Sequence, residues 1–224
     1  MHEIRLGSDE LRAHWHLDVA LAYVRGSLPD LAEDDPQRLL TLPRERGLDL
    51  DPFKRSRRLP RIQAVQAMLR SFGPATLVDL GTGRGRHLWP LLETLPTLDV
   101  TTVDQDARHV ARIEAVRLGG IERLRGLLAN VEAVPLPDRS ADGVTALEVL
   151  EHAADPARVA CEAVRLARRF LIMSVPSRPD DNPEHVRLFD AATLASLLSA
   201  AGARRVTVQQ VPGHYVALAD TRSA

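Results

Sequence analysis

Leu77-Val78-Asp79-Leu80-Gly81-Thr82-Gly83-Arg84-Gly85-Arg86-His87 is the stretch that decides the fold. A short apolar run holds an acid near its end, and three glycines follow at alternate positions. The run reads as a buried strand that breaks at a tight turn. Glycines at such a turn admit φ > 0 and let a ligand approach bare main chain. A helix starting after Gly85 would aim its unpaired N–H groups at whatever lies above the strand. This is a loop for a nucleotide-like cofactor. A dinucleotide loop reads G-x-G-x-x-G. Here its third glycine position holds Arg86, and the third glycine, Gly85, comes one residue early.

Strands and helices alternate on the C-terminal side of this loop. Strands are expected at Thr76–Leu80, Val100–Asp104, Leu124–Leu128, Gly143–Glu148 and Phe170–Val175. Helices are expected at Arg86–Thr94, Ala107–Val116, Pro156–Ala167 and Ala191–Ala201. Such alternation argues for an α/β fold, a parallel sheet with helices on both faces. The ending differs. Arg205–Gln210 and His214–Leu218 are strands joined only by the turn at Pro212-Gly213. A connection that short makes an antiparallel pair, because a parallel return needs a long crossover.

Toward the N-terminus, Glu10–Arg25 has helical spacing, with Leu11, Trp15, Val19, Leu21 and Val24 able to form an apolar stripe. Gly26–Pro52 reads as loops with short helical turns, and Pro60–Phe72 as a helix closed by Gly73-Pro74. Residues 1–60 are expected to be a helical cap or substrate lid, and residues 61–224 the cofactor-binding domain. Lys54 to Arg61 is a basic cluster, read as a solvated linker ahead of a phosphate or RNA clamp.

The 224 residues, 45% of them hydrophobic, suit one sizeable α/β domain with an appendage. A formal charge of −1 carries no global nucleic-acid signature. A single cysteine, Cys161, excludes an intramolecular disulfide and a cysteine-based zinc site. No apolar run is long enough to span a membrane, so a cytoplasmic protein with no membrane partner is expected.

The D-x-G-x-G-x-G pattern from Asp79 to Gly85 resembles motif I of the class I S-adenosylmethionine-dependent methyltransferases. The resemblance runs from Ala75 to Ala219. It implies a doubly wound, Rossmann-like sheet of order 3-2-1-4-5-7-6 with the last strand antiparallel. It also implies S-adenosylmethionine as cofactor, held by Asp79, Gly81, Gly83 and Gly85. Asp104, at the end of the second strand, would accept both ribose hydroxyls, with Asp106 as the helix cap. Ala129-Asn130-Val131-Glu132 is similar to a segment whose usual Asp holds the adenine; here Asn130 and the backbone of Val131 would take that part. Glu148-Val149-Leu150-Glu151-His152 resembles the stretch after the fourth strand, with the backbone of Ala146 and Leu147 facing the methionine end of the cofactor.

Glu148, Glu151 and His152 gather at one strand end, and His185 follows the neighbouring strand. Two carboxylates and two imidazoles can hold a divalent cation such as Mg²⁺ or Mn²⁺. They can also act as a general base with its orienting carboxylate. A similar set binds metal in small-RNA 2′-O-methyltransferases and occurs in ubiquinone-pathway O-methyltransferases. The reading is therefore a methyltransferase acting on oxygen of a small metabolite, with His152 or His185 as base and Glu148 in support. RNA 2′-O-methylation with a divalent metal is the alternative. A noncatalytic nucleotide-binding partner subunit is disfavoured by the intact Gly81, Gly83, Gly85 and Asp104. An NAD(P) oxidoreductase fails on glycine spacing and on the closing hairpin.

Overall fold

A computed structural model describes residues 7–55, 59–179 and 187–222. Seven strands form one sheet in the order β3-β2-β1-β4-β5-β7-β6. They are β1 (Thr76–Leu80), β2 (Asp99–Asp104), β3 (Leu124–Leu128), β4 (Ala141–Leu147), β5 (Ala167–Pro176), β6 (Arg204–Val211) and β7 (His214–Asp220). The first five pair in parallel, and β7 runs antiparallel to both β5 and β6. The sheet order and the closing hairpin are those expected from the sequence.

One face of the sheet carries α4 (Pro60–Phe72), α5 (Leu88–Thr94) and α6 (Ala107–Leu118); the other carries α7 (Pro156–Leu166) and α8 (Ala191–Ala200). Side chains alternate along each strand, so Leu77 enters the first core while Val78 and Leu80 enter the second. Local chemistry sets the helix ends. Pro60 and Pro156 occupy first turns, where a missing N–H costs nothing. Asp106, Asp155 and Asp190 cap α6, α7 and α8 by accepting backbone N–H groups.

The N-terminal region departs from the expected pattern. Glu10–Arg25 is not one helix but two, α1 (Ser8–His14) and α2 (Leu17–Ser27). A tertiary contact breaks it: Trp15 bridges Lys54, and the His16 N–H donates to the Phe53 carbonyl at 2.9 Å. The following stretch, read as loops, contains the ten-residue helix α3 (Pro36–Glu45) and a 3₁₀ turn at Asp51–Phe53. Val19, Val24, Leu39, Leu50 and Phe53 are buried in the same core as α4, α5 and α6. No described helix is long and apolar enough to cross a membrane.

Candidate active site

The carboxyl ends of the parallel strands are where an open α/β sheet presents its ligand site. There the Gly81 N–H donates to the Val103 carbonyl at 2.8 Å, tying the loop to β2. Gly81, Gly83 and Gly85 all have positive φ, between 55° and 79°. Gly85 is required twice over, because a Cβ there would lie 2.2 Å from the ring of Trp89. That ring is buried, and its Nε1–H donates to the Arg84 carbonyl at 3.0 Å. A Cβ on Gly83, by contrast, would meet no protein atom within 4 Å. The loop is therefore packed tightly from below and bare above, a cradle of the kind a nucleotide needs.

Two acids flank the cradle. Asp104 is almost buried and accepts the Gly83 N–H at 2.8 Å and the Asp106 N–H at 2.9 Å. His109 Nδ1 lies 3.2 Å from its Oδ2. Asp79 accepts the hydroxyls of Thr145 at 2.6 Å and Thr82 at 3.0 Å. Burial pushes its carboxyl up to about 6; the two hydroxyls oppose this and the charge of Asp104 adds to it.

A second group sits at the end of β4. Glu148 leaves the strand with φ 59°, in the left-handed region. Its N–H donates to the Ser174 carbonyl at 3.0 Å, and the Ser174 hydroxyl donates to its Oε1 at 3.2 Å. Its Oε2 lies 3.0 Å from His214 Nε2, and Arg61 Nε stands 3.8 Å from Oε1. β7 begins at His214, paired with Pro176 at the end of β5, so its antiparallel course brings this imidazole to the carboxyl edge. His87 is buried beside Arg61, with neither ring nitrogen bonded to a described residue. Burial, then the charge of Arg61, pushes its imidazole down to about 4, so the ring is neutral at physiological pH.

The model of a methyltransferase-domain family matches residues 78–170, which run from β1 into β5. A protein of Mycobacterium tuberculosis, described as a probable S-adenosylmethionine-dependent methyltransferase, is 32% identical over 193 residues. That match covers 80% of this chain and 66% of the relative, just under two thirds of its length. The chain carries a class I S-adenosylmethionine-dependent methyltransferase domain. The ribosomal RNA small subunit methyltransferase G of Myxococcus xanthus is 42% identical over 79 residues, 35% of each chain. A solved S-adenosylmethionine-dependent methyltransferase from Aquifex aeolicus superposes with a TM-score of 0.61 at 23% identity, over 73% of this chain and 90% of that one. It shows a shared fold.

Within this methyltransferase domain, Asp79, the three glycines and Asp104 surround one loop. Ala146 and Leu147 close β4 beside it. Asn130 is exposed on the loop after β3, where its Oδ1 accepts the Glu132 N–H at 2.9 Å; Val131 beside it is half-buried. Glu148, Glu151 and His152, expected to gather, differ in their surroundings. Glu151 is fully buried, His152 faces solvent, and Glu148 turns to His214 instead. The fourth expected member, His185, lies outside the described residues. Among the described residues no group of three or more His, Cys, Asp or Glu side chains is arranged to hold a metal ion. Sequence reasoning missed His214, Ser174 and His87. The one available signal for His214 was its place just after Pro212-Gly213, where an antiparallel final strand must start at the ligand edge.

Proposed function

We propose that the protein is an S-adenosylmethionine-dependent methyltransferase that methylates an oxygen of a small-molecule acceptor. S-adenosylmethionine, when bound, supplies a methyl group on a sulfonium centre. The residues suited to hold it are the backbone of Gly81–Gly85, Asp104 for the ribose hydroxyls, Asn130 and Val131 for the adenine, and the main chain at Ala146 and Leu147. Asp79 braces the loop through Thr82.

The observation that carries the oxygen acceptor is the Glu148–His214 pair at 3.0 Å. Alkylating a hydroxyl requires its proton to leave, and a carboxylate-oriented imidazole is a general base for that purpose. With Nε2–H donating to Glu148, Nδ1 keeps the lone pair; this tautomer is assigned from the hydrogen-bond partners. Nδ1 takes the hydroxyl proton. The resulting imidazolium is held by Glu148 on one side and by the Pro212 carbonyl, 3.4 Å from Nδ1, on the other. Arg61 stands 3.8 Å from the same carboxylate, with the buried His87 beside it. His152 and His185, the bases expected from the sequence, stand as the alternatives to His214.

His214→Ala is expected to lower kcat roughly 10²- to 10⁴-fold. Calorimetric affinity for S-adenosylhomocysteine should stay unchanged. Near-normal turnover in His214→Ala, with the loss appearing in His152→Ala or His185→Ala, would transfer the role to those residues. With the proton held on an imidazole, turnover is expected to persist in a chelator. RNA is the second reading, motivated by the similarity to a ribosomal RNA methyltransferase. Methyl incorporation into RNA with none into small hydroxylated acceptors would favour it.

A further inference from the structure

A groove of about 910 Å³ lies between α1, α4 and α5 and takes in Arg86, directly after the glycine loop. Its size falls within the ~300–1,000 Å³ of small-ligand sites. Four arginines line it, Arg12, Arg55, Arg70 and Arg86, against one acid, Glu93. Two of the four are already engaged. Arg12 forks onto Asp18 with two 2.8 Å bonds, and Arg55 onto Glu93 at 2.8 and 2.9 Å. The side chains of Arg70 and Arg86 make no hydrogen bond or ion pair with another described residue. The same holds for the Arg84 side chain, which lines an adjoining recess of about 170 Å³ that also touches Arg55 and Arg86. Gln66 also lines the groove, and its buried Nε2 has no acceptor among the described residues. A buried amide donor without an acceptor is costly unless something supplies one. Planar guanidinium groups beside it are suited to bind phosphate oxygens in pairs.

The groove also reaches the methyl-transfer edge. α4 and α5 both start at the carboxyl end of the sheet, α4 just before β1 and α5 just after it. The first turn of α4 sends Arg61 to Glu148, while Leu59, Ile62 and Gln63 line the groove. A ligand lying across that turn, about one helix width or ~10 Å, would touch both sites. We propose that this groove binds a phosphate group carried by the acceptor at a distance from the oxygen that is methylated. The proposal rests on the methyltransferase reading and names the acceptor class for it, a phosphate-bearing small molecule. A nucleic-acid strand fits less well. Base recognition uses aromatic stacking platforms. Among the described residues the groove's one aromatic ring is the imidazole of His16, buried against Glu93 at 3.1 Å, and the ring of Trp89 in the adjoining recess is buried under Gly85.

The test is calorimetry on the full-length chain, with pyrophosphate as the probe and S-adenosylhomocysteine titrated into the same samples. Arg70→Ala/Arg86→Ala is expected to weaken pyrophosphate at least about tenfold, with affinity for S-adenosylhomocysteine unchanged. The double Lys variant should fall between, because it keeps charge and loses the fork. Arg108→Ala, which removes an exposed arginine on α6, should bind pyrophosphate like the parent. Equal pyrophosphate affinity in all variants, or none in the parent, overturns the groove site. A single-stranded RNA oligonucleotide binding far more tightly than pyrophosphate, with a steep salt slope abolished in the double Ala variant, overturns the small-acceptor assignment. Failure of the parent to bind S-adenosylhomocysteine overturns the methyltransferase reading instead and leaves the pyrophosphate result to judge the groove alone.

Discussion

Glu148 is held at φ 59°, where a side chain other than glycine costs about 1–2 kcal/mol. Its partners Ser174, His214 and Arg61 converge on the carboxylate, so the backbone tolerates this strain where three elements meet it. Glu148→Ala and Glu148→Gly remove the same carboxylate, but only the alanine keeps the left-handed penalty. The glycine variant is therefore expected to be about 1 kcal/mol more stable in urea unfolding, with both variants equally poor in turnover. Equal stability would show that the backbone is not strained. Asp79 and His87 give a second prediction. Asp79 titrates near 6 folded against 3.8 unfolded, so its contribution is present at low pH and is lost as pH rises through about 6. His87 titrates near 4 folded against 6.5 unfolded, so stability is lost as pH falls from 6.5 toward 4. The two slopes oppose each other over almost the same window, each on the order of 3 kcal/mol. Asp79→Asn leaves His87 unopposed and should make the fold more acid-sensitive between these pH values; His87→Met should do the reverse. Parallel pH profiles of the urea midpoint for the parent and both variants would contradict this.

At the scale of elements, α2 and α6 approach until their backbones touch. A Cβ on Gly26 would lie 1.8 Å from the Ala115 carbonyl oxygen, and one on Gly119 would lie 1.7 Å from that of Ala22. The obstacle is main chain on both sides and cannot rotate away. Gly26→Ala and Gly119→Ala are each expected to destabilise the protein by about 2–3 kcal/mol, read as a lower urea midpoint. Gly26 follows the helix expected at Glu10–Arg25, but the packing role of neither glycine was legible in the sequence. Helical periodicity shows which face is apolar without showing which element it meets. The break at Trp15-His16 has the same origin. Local spacing favours one continuous helix, and the contact with Phe53, almost forty residues away, ends it.

For the whole molecule, the N-terminal segment is part of the main core. Phe53 packs its ring 5.0 Å from Trp89, the residue that supports Gly85, and Tyr23 lies 4.8 Å from Phe53. A chain beginning at Arg61 is expected to lose cooperative unfolding, because Trp89, Ile113 and Val116 would lose cover. A truncated chain that unfolds like the parent and binds S-adenosylhomocysteine normally would restore the picture of a dispensable lid. The strands, their flanking helices and the glycine turn were readable from residues alone, because strand alternation, glycine spacing and capping acids act over a few positions, while the strand order was implied by the family resemblance. Asp79, Gly81–Gly85 and Asp104 needed only their order along the chain. The partner of Glu148 could not be read this way. Glu151 and His152 are its neighbours in sequence, yet the turn after β4 buries one and exposes the other. His214, sixty-six positions away, reaches Glu148 only because β7 returns antiparallel beside β5. The sequence by itself determined the alternating elements, the closing hairpin and the glycine turn through short-range chemistry. Only the tertiary structure decided the partner of Glu148, because strand pairing brings those side chains together across a long separation.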